Sequence, residues 1–167
     1  EFFDDFCHSI VTFEGEEPLH KLLTALKAGN ALSTVPNLIH LEGREVVQNK
    51  ERVELRFEEI PGPTFDGLPM NSYLSPYPII PVLQSRGCYW GKCTFCTHSF
   101  IYGHRYGKQK TQGMVDELEG LMKKYNTKYF TFSDEAVSPH SLNDVSELMI
   151  KRGVEIRSLA LLKFEKV

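Results

Sequence analysis

The sequence predicts an α/β protein, and three observations support this prediction. The composition is that of a globular chain, with 41% apolar and 25% charged residues over 167 residues. Residues 79–162 alternate short apolar runs with amphipathic helical patterns, which is typical of a parallel sheet with crossover helices. Residues 7–48 combine a strand pattern, a helical pattern and a hairpin pattern.

The amino-terminal segment, residues 1–50, begins with the run "CHSIVTF", which predicts a buried strand. The pattern "PLHKLLTALKAGN" predicts a helix that starts at Pro18 and ends at Gly29. "NLIHL" and "REVVQN" then predict a hairpin joined by Glu42 and Gly43, because glycine supplies the positive φ that tight turns require. The helix has apolar residues at helical spacing, namely Leu19, Leu22, Leu23 and Leu26.

A proline-rich segment, residues 51–78, follows the hairpin. Six of the nine prolines fall between Pro61 and Pro81. Such X-Pro steps favour extended backbone, and the segment has no helical period. We therefore expect a linker between two units, residues 1–50 and residues 79–167.

The second unit is predicted to contain "IIPVL", "KYFTF" and "VEIRSLALL" as strands. Two helices separate them, "TQGMVDELEGLMKKYN" and "SLNDVSELMIKRG", the latter with Ser141 as its cap and Gly153 at its end. About three strands are too few for a closed eight-stranded barrel of roughly 250 residues. Because the chain also lacks an initial methionine and stops soon after its last strand, we expect it to be part of a longer protein.

Length and cysteine usage exclude some classes of protein. No apolar run approaches the roughly 20 residues needed to cross a bilayer, and no secretory signal pattern is present. Three of the four cysteines are bunched together, which is a poor disulfide framework but suits metal ligation in a reducing compartment. The sequence therefore predicts a cytoplasmic protein that does not contact a membrane and that binds a metal.

The candidate metal ligands are Cys88, Cys93 and Cys96, spaced C-x4-C-x2-C directly after the predicted strand "IIPVL". Loops that leave the carboxyl ends of parallel strands gather where α/β proteins place their ligands. Three thiolates can hold three irons of a 4Fe-4S cluster and leave the fourth iron open to a substrate or cofactor. The alternative is a zinc site, in which His98 completes a Cys3His set.

Acidic residues follow another predicted strand at the same edge. "KYFTF" ends at Ser133, Asp134 and Glu135, and a carboxylate there could hold an ammonium group. In the alternative interpretation Asp134 only caps a turn.

The charge distribution is uneven. Residues 1–50 carry four Lys/Arg against eight Asp/Glu, whereas residues 86–128 carry eight against three. The basic segment could dock an anionic partner or could simply be a solvated surface.

These patterns resemble the radical S-adenosylmethionine (radical SAM) enzymes, in the form that carries a cobalamin-binding domain ahead of the barrel. The resemblance lies in "SRGCYWGKCTFC", in the strand before it and in "FSDEAV" after one helix. It implies the amino-terminal part of a TIM-type β/α barrel, preceded by the strand, helix and hairpin of a Rossmann-like domain. It also implies a 4Fe-4S cluster, SAM, and a 5'-deoxyadenosyl radical that modifies an unactivated carbon.

Carried over by position, the resemblance makes Cys88, Cys93 and Cys96 the cluster ligands and places Phe95 by the adenine. Ser133, Asp134 and Glu135 stand where the family binds the methionine amino group, which leaves open which carboxylate makes the contact. The loop is one residue longer than the common C-x3-C-x2-C spacing, and two glycines are absent from the acidic motif.

The resemblance also implies partners. The substrate would be a small molecule or a peptide, and an electron donor such as flavodoxin or ferredoxin would reduce the cluster. The cobalamin signature D-x-H-x-x-G is absent, so cobalamin is expected in the longer protein but not on this chain alone. Two other functions stay open: a non-catalytic zinc module, and a radical SAM enzyme that modifies RNA, which the basic segment would favour.

Overall fold

A computed structural model of the chain describes residues 3, 6–53, 56–98 and 105–163, without the side chain of Glu58. The chain divides into two compact units, Glu1–Arg56 and Phe57–Val167. Among the helices of these described ranges, none is both long and apolar enough to cross a membrane.

The first unit contains an antiparallel sheet with the strand order β1-β2-β3. Its elements are β1 (Ser9–Val11), α1 (Glu16–Ala28), β2 (Leu38–Glu42) and β3 (Glu45–Gln48). The predicted hairpin is confirmed, but its turn is Gly43 and Arg44 and not the predicted Glu42 and Gly43, because Glu42 pairs with Glu45 in the ladder. Gly43 has the expected positive φ, at 67°. Leu22 and Ala25 of α1 pack with Val35 and Leu38 in a small core.

The buried face of α1 differs from the predicted one. Leu22 is buried as expected. Three other leucines of the helix are at least half exposed, at 50% for Leu19, 58% for Leu23 and 59% for Leu26. The residues that share the buried stripe with Leu22 are Pro18 and Ala25. At about 100° per residue these two lie on the opposite side of Leu22 from the three exposed leucines. The narrow sheet therefore contacts only one edge of the leucine-rich face.

The second unit contains a parallel sheet, as predicted, with the strand order β4-β7-β8. These strands are β4 (Ile79–Val82), β7 (Tyr129–Phe132) and β8 (Arg157–Leu159). The connecting helices are α2 (Thr111–Tyr125) and α3 (Pro139–Arg152). The α/β class is confirmed; the TIM-type barrel and the Rossmann-like origin of the first unit stay predictions.

One face of the parallel sheet is covered by the two helices. The strands contribute Ile80, Val82, Phe130 and Phe132 to the core, and the helices contribute Met114, Val115, Leu118, Leu121, Val145 and Met149. Successive strand residues point to opposite faces, so Ile79 and Pro81 lie on the other, exposed face of β4. The period of two thus fixes which side of each strand faces the helices.

The cap of helix α3 lies three residues before Ser141, where the sequence predicted it. Ser138 occupies the N-cap position, and Pro139 follows as the first helical residue, where its fixed φ favours helix initiation. Ser141 is instead buried in the first turn. The predicted end at Gly153 is confirmed, with φ 68° in the left-handed region.

The proline-rich segment packs on the second unit from Phe57 onward. The Phe65 amide donates to Tyr125 Oη at 2.7 Å, and Thr127 Oγ1 donates to the Pro78 carbonyl at 2.6 Å. The Tyr77 ring stacks on Tyr129 with ring centroids 4.5 Å apart. These contacts anchor the chain at the last residue of α2 and at the first residue of β7, immediately before the chain enters β4.

Candidate functional site

The two segments singled out by the sequence leave the parallel sheet at the same edge. Strands β4 and β7 pair in parallel, with Val82 opposite Phe132. The Ser133 amide donates to the Val82 carbonyl at 2.9 Å, one residue beyond that pair. The chain therefore enters the cysteine loop from β4 directly beside the acidic residues that follow β7.

The cysteine loop is closed at its base by two short strands, β5 (Ser85–Arg86) and β6 (Gly107–Lys108). They pair antiparallel, and the Gln109 amide extends the ladder by donating to the Gln84 carbonyl at 2.9 Å. We call β5, β6 and the flanking Gln84 and Gln109 the neck. The described residues 87–98 and 105–106 leave and re-enter the neck, and we call the segment between the two strands the cysteine loop.

Gly87, directly above the neck, permits a close approach of the two loop ends. Its φ is +81°, and a Cβ at this position would lie 2.2 Å from the Arg105 carbonyl oxygen. No side chain fits in that space, and the left-handed backbone conformation also favours glycine. Gly87 is therefore required for the loop to close as it does.

The three thiols lie on the described part of the loop, residues 88–98, which we call the tip. All are free cysteines; Cys93 is exposed, whereas Cys88 and Cys96 are half-buried. The Cys96 amide donates to the Cys93 carbonyl at 3.3 Å. Among the residues that the structure describes, no three His, Cys, Asp or Glu side chains are placed so that they could hold a metal ion. The donor set has the chemistry of a cluster site, but its thiols are not gathered into a ligand cage.

Asp134 is buried and is bound to the neck, with 1% of its surface exposed. Its Oδ1 accepts hydrogen bonds from the Ser85 amide at 2.6 Å and from Ser85 Oγ at 2.5 Å. Its Oδ2 accepts a hydrogen bond from the Gln84 amide at 3.1 Å. Burial raises the pKa of the Asp134 carboxyl, while the hydrogen bonds from Ser85 and Gln84 act in the opposite direction. Both carboxylate oxygens are therefore committed to the protein.

Glu135 has a different environment. Its side chain is 17% exposed, and its Oε1 lies 3.8 Å from Nδ1 of His98, at the end of the tip. Its Oε2 is buried and has no hydrogen-bond partner among the described residues. His98, the fourth ligand of the zinc alternative, thus has Glu135 as a neighbour in place of a Cys3His group.

The other two predicted cofactor-binding residues are exposed. Phe95 is 87% exposed on the tip, and Ser133 is exposed at the end of β7. Of the two predicted carboxylates, Glu135 lies close to His98 at the end of the tip, whereas Asp134 is buried in the interior.

Some residues at the site were not found by sequence reasoning. Gln84 and Ser85 belong to the neck, and Gly87 follows it directly; the only sequence signal for them was a glycine directly before a cysteine. The ring of Trp90 lies under two cations, with Lys163 Nζ at 3.3 Å and Lys92 Nζ at 5.2 Å from its centroid. Because Lys163 follows β8, a third segment at this edge of the sheet contacts the cysteine loop, and nothing in the sequence pattern indicated it.

Comparisons with known proteins were made by sequence and by structure. No protein-family model matches the chain. An uncharacterized methyltransferase of Pyrococcus horikoshii is 30% identical over 152 residues, which are 89% of this chain and 33% of that protein. A bacteriochlorophyllide d C-12(1)-methyltransferase of Chlorobaculum tepidum is 31% identical over 80 residues, 46% of this chain and 17% of that protein. The chain thus spans a third or less of the length of these relatives.

Among solved structures, the cobalamin-dependent S-adenosylmethionine radical enzyme OxsB with aqua-cobalamin bound is 24% identical, with a TM-score of 0.74. The match covers 94% of this chain and 23% of OxsB. The radical S-adenosylmethionine methyltransferase TsrM of Kitasatospora setae, with cobalamin and a [4Fe-4S] cluster bound, is 20% identical, with a TM-score of 0.64. That match covers 95% of this chain and 34% of TsrM. The chain therefore has the fold of the corresponding part of these two enzymes.

Proposed function

We propose that the chain is the cluster-binding part of a radical SAM enzyme that transfers a methyl group. The names of the sequence relatives and the fold of the structural neighbours support this proposal. In it, Cys88, Cys93 and Cys96 ligate three irons of a 4Fe-4S cluster, and the fourth iron stays open for SAM. The free state of the three thiols and their position on a loop at the carboxyl edge of the sheet are consistent with that role.

The observation that carries the proposal is the orphaned oxygen of Glu135. A buried carboxylate oxygen without a partner is costly, and a positively charged donor offsets that cost. Glu135 Oε2 is such an atom, and Oε1 of the same carboxylate lies 3.8 Å from Nδ1 of His98, the last residue of the tip. An ammonium group bound by Glu135 would therefore sit near His98, two residues after Cys96 in the sequence, and in this proposal it is the ammonium group of the methionine end of SAM.

The other predicted residues receive distinct roles. Exposed Phe95 offers an aromatic face to the adenine, and exposed Ser133 offers a hydroxyl at the same edge as Glu135. Asp134 does not contact SAM in this proposal because both of its oxygens bind the neck. When bound, the cluster and SAM supply reductive cleavage of a carbon–sulfur bond, while these side chains bind and orient the cofactor.

The activity belongs to the longer protein in this proposal, because the chain spans a third or less of its relatives. Cobalamin would be held by residues outside this chain. The substrate would be a small molecule or a peptide with an unactivated carbon, and flavodoxin or ferredoxin would supply electrons. The alternative with an RNA substrate stays a prediction.

Anaerobic reconstitution of the full-length protein with iron and sulfide tests the proposal. We expect about four irons per chain and a brown protein, because three cysteines hold such a cluster. Cys93→Ala should abolish the visible absorption, because it removes one of three ligands. Cys7→Ala is the matched control and should leave the absorption unchanged, because Cys7 lies in the first unit. A colourless wild-type protein with one tightly bound zinc would contradict the proposal.

A further inference from the structure

The neck is too small to fix the cysteine loop by itself. It pairs two residues with two, Ser85 with Lys108 and Arg86 with Gly107. An isolated two-stranded ladder is at best marginally stable in water, and closing a loop of residues 87–106 has an entropic cost. Additional contacts must hold the neck in place.

Asp134, two residues beyond the end of β7 at Phe132, supplies three of these contacts. Its carboxylate accepts from the Gln84 amide, the Ser85 amide and the Ser85 hydroxyl, at 3.1, 2.6 and 2.5 Å. Hydrogen bonds to an ionised acceptor are stronger than neutral ones, and burial from water strengthens them further. The neck is therefore attached to the end of β7 through one side chain.

Both sides of this attachment lead directly to the proposed site. Asp134 precedes Glu135, and Ser85 lies three residues before Cys88. A movement of the neck relative to the end of β7 would change the position of the cysteines relative to Glu135.

Three further hydrogen bonds attach the neck to the helices. Gln84 Nε2 donates to the Ser141 carbonyl at 3.1 Å and Lys108 Nζ donates to Ser141 Oγ at 3.2 Å, both at the start of α3. Gln109 Nε2 donates to Glu117 Oε2 of α2 at 2.9 Å.

We propose that Asp134 is a positioning residue that holds the cysteine loop and Glu135 in a fixed relation, so that one SAM molecule can contact the cluster and Glu135 together. This inference rests on the proposed function of the same site. Asp134 itself contacts neither the cluster nor SAM. Loss of the Asp134 carboxylate is therefore expected to weaken SAM binding without removing any residue that binds the cluster or SAM.

Two variants test the positioning role in the full-length protein. Asp134→Asn keeps the shape of the side chain but replaces one of its two acceptor oxygens by an NH2 group. The three neck donors use both oxygens in the wild type, so at least one donor loses its partner. Ser85→Ala removes only the hydroxyl donor and keeps both backbone bonds, which makes it usable even if Asp134→Asn does not fold. The matched control is Asp144→Asn, because Asp144 lies on the outer surface of α3 with a side chain 37% exposed.

Two measurements separate positioning from simple stability. Hydrogen exchange on the protein without its cluster should show faster exchange at the Gln84 and Ser85 amides in Asp134→Asn. The Ser133 amide, which donates to Val82, should not change. After reconstitution, the iron content should equal that of the wild type, while the SAM dissociation constant rises about tenfold. This is the change expected when the arrangement that binds SAM is disfavoured by about the free energy of the neck hydrogen bond that is lost. The SAM-induced change in the EPR spectrum of the reduced cluster should be weakened in parallel, with a smaller effect in Ser85→Ala.

The outcomes distinguish this inference from the proposed function. Faster neck exchange with wild-type SAM affinity would overturn the positioning role alone, and so would unchanged exchange in both variants. A wild-type protein that takes up no iron and binds no SAM would overturn both proposals. A loss of SAM affinity in Asp144→Asn equal to that in Asp134→Asn would also overturn the positioning role.

Discussion

The neck and the tip of the cysteine loop are built in opposite ways. In the neck Gln84 and Ser85 are buried, at 2% and 1% exposure, and their polar groups bind Asp134 and Ser141. On the tip Lys92, Cys93, Thr94 and Phe95 are all exposed. The fold therefore fixes where the loop starts and ends, while the residues that would touch a cofactor stay open to it. The difference indicates that the residues that position the loop are separate from the residues that would bind a cofactor. The following substitutions test that separation.

The largest effect is expected directly above the neck, for Gly87→Ala. The new Cβ would lie 2.2 Å from the Arg105 carbonyl oxygen, so the two ends of the loop must separate. We expect the free energy of unfolding to fall by about 2 kcal/mol or more and cluster incorporation to be lost. Urea unfolding and iron analysis measure the two effects.

Gly153→Ala is the control for backbone strain alone. Gly153 has a similar φ of +68°, but a Cβ there would meet nothing within 4 Å. The control should cost only about 1 kcal/mol and should retain the cluster. Equal effects of the two substitutions would show that the close approach at Gly87 does not matter.

The next largest effect is expected for Glu135→Gln, at the residue whose carboxylate lies 3.8 Å from His98 on the tip. Loss of the charge should raise the SAM dissociation constant about tenfold or more, because a charge-assisted bond to the ammonium group becomes a neutral one. Isothermal titration of the reconstituted protein measures it. Glu155→Gln is the matched control, because the Glu155 side chain is 81% exposed before β8; a tenfold loss there would remove the case for Glu135.

A smaller effect is expected in the pH dependence of the neck. Burial raises the folded-state pKa of Asp134 above its ordinary value of 3.8. In acid the carboxyl is protonated in both states; as the pH rises past 3.8, the unfolded chain ionises first, which favours unfolding. As the pH rises from 3.8 to the folded-state pKa of Asp134, the free energy of unfolding of the wild type should therefore fall relative to that of Asp134→Asn. Unfolding free energies of both proteins at several acidic pH values measure this, and a parallel pH dependence would contradict it.

The smallest change in stability is expected on the tip, for Phe95→Ala. A side chain that is 87% exposed contributes little to folding, so the free energy of unfolding should change by less than about 0.5 kcal/mol. SAM affinity should nevertheless fall if the ring contacts the adenine. Leu74→Ala, at a fully exposed apolar side chain in the proline-rich segment, should change neither quantity. A marked loss of stability in Phe95→Ala would show that the tip is part of the fold.

Periodicity predicted most of the fold, because β4, β7, α2 and α3 each bury one regular face against the others. It did not predict which face of α1 is buried, since that depends on the width of the small sheet beneath it. Ser141 was a plausible cap, but Pro139 starts the helix earlier because its φ is preset.

The two carboxylates illustrate the same limit at the site. Sequence reasoning left open which of Asp134 and Glu135 faces a ligand. Alternation along β7 places Asp134 on the side of Phe130 and Phe132, the face covered by helices, so the signal was present once the strand was extended by two residues. The hydrogen bonds of Asp134 to Ser85 join residues 49 positions apart, and no local pattern encodes such a contact.

Trp90 is the one tryptophan in the sequence, and it lies on the cysteine loop beneath Lys163. Indole fluorescence of this chain therefore comes from a ring two residues from Cys88, one of the proposed cluster ligands. Emission excited at the indole band should follow the filling of that centre without any attached dye.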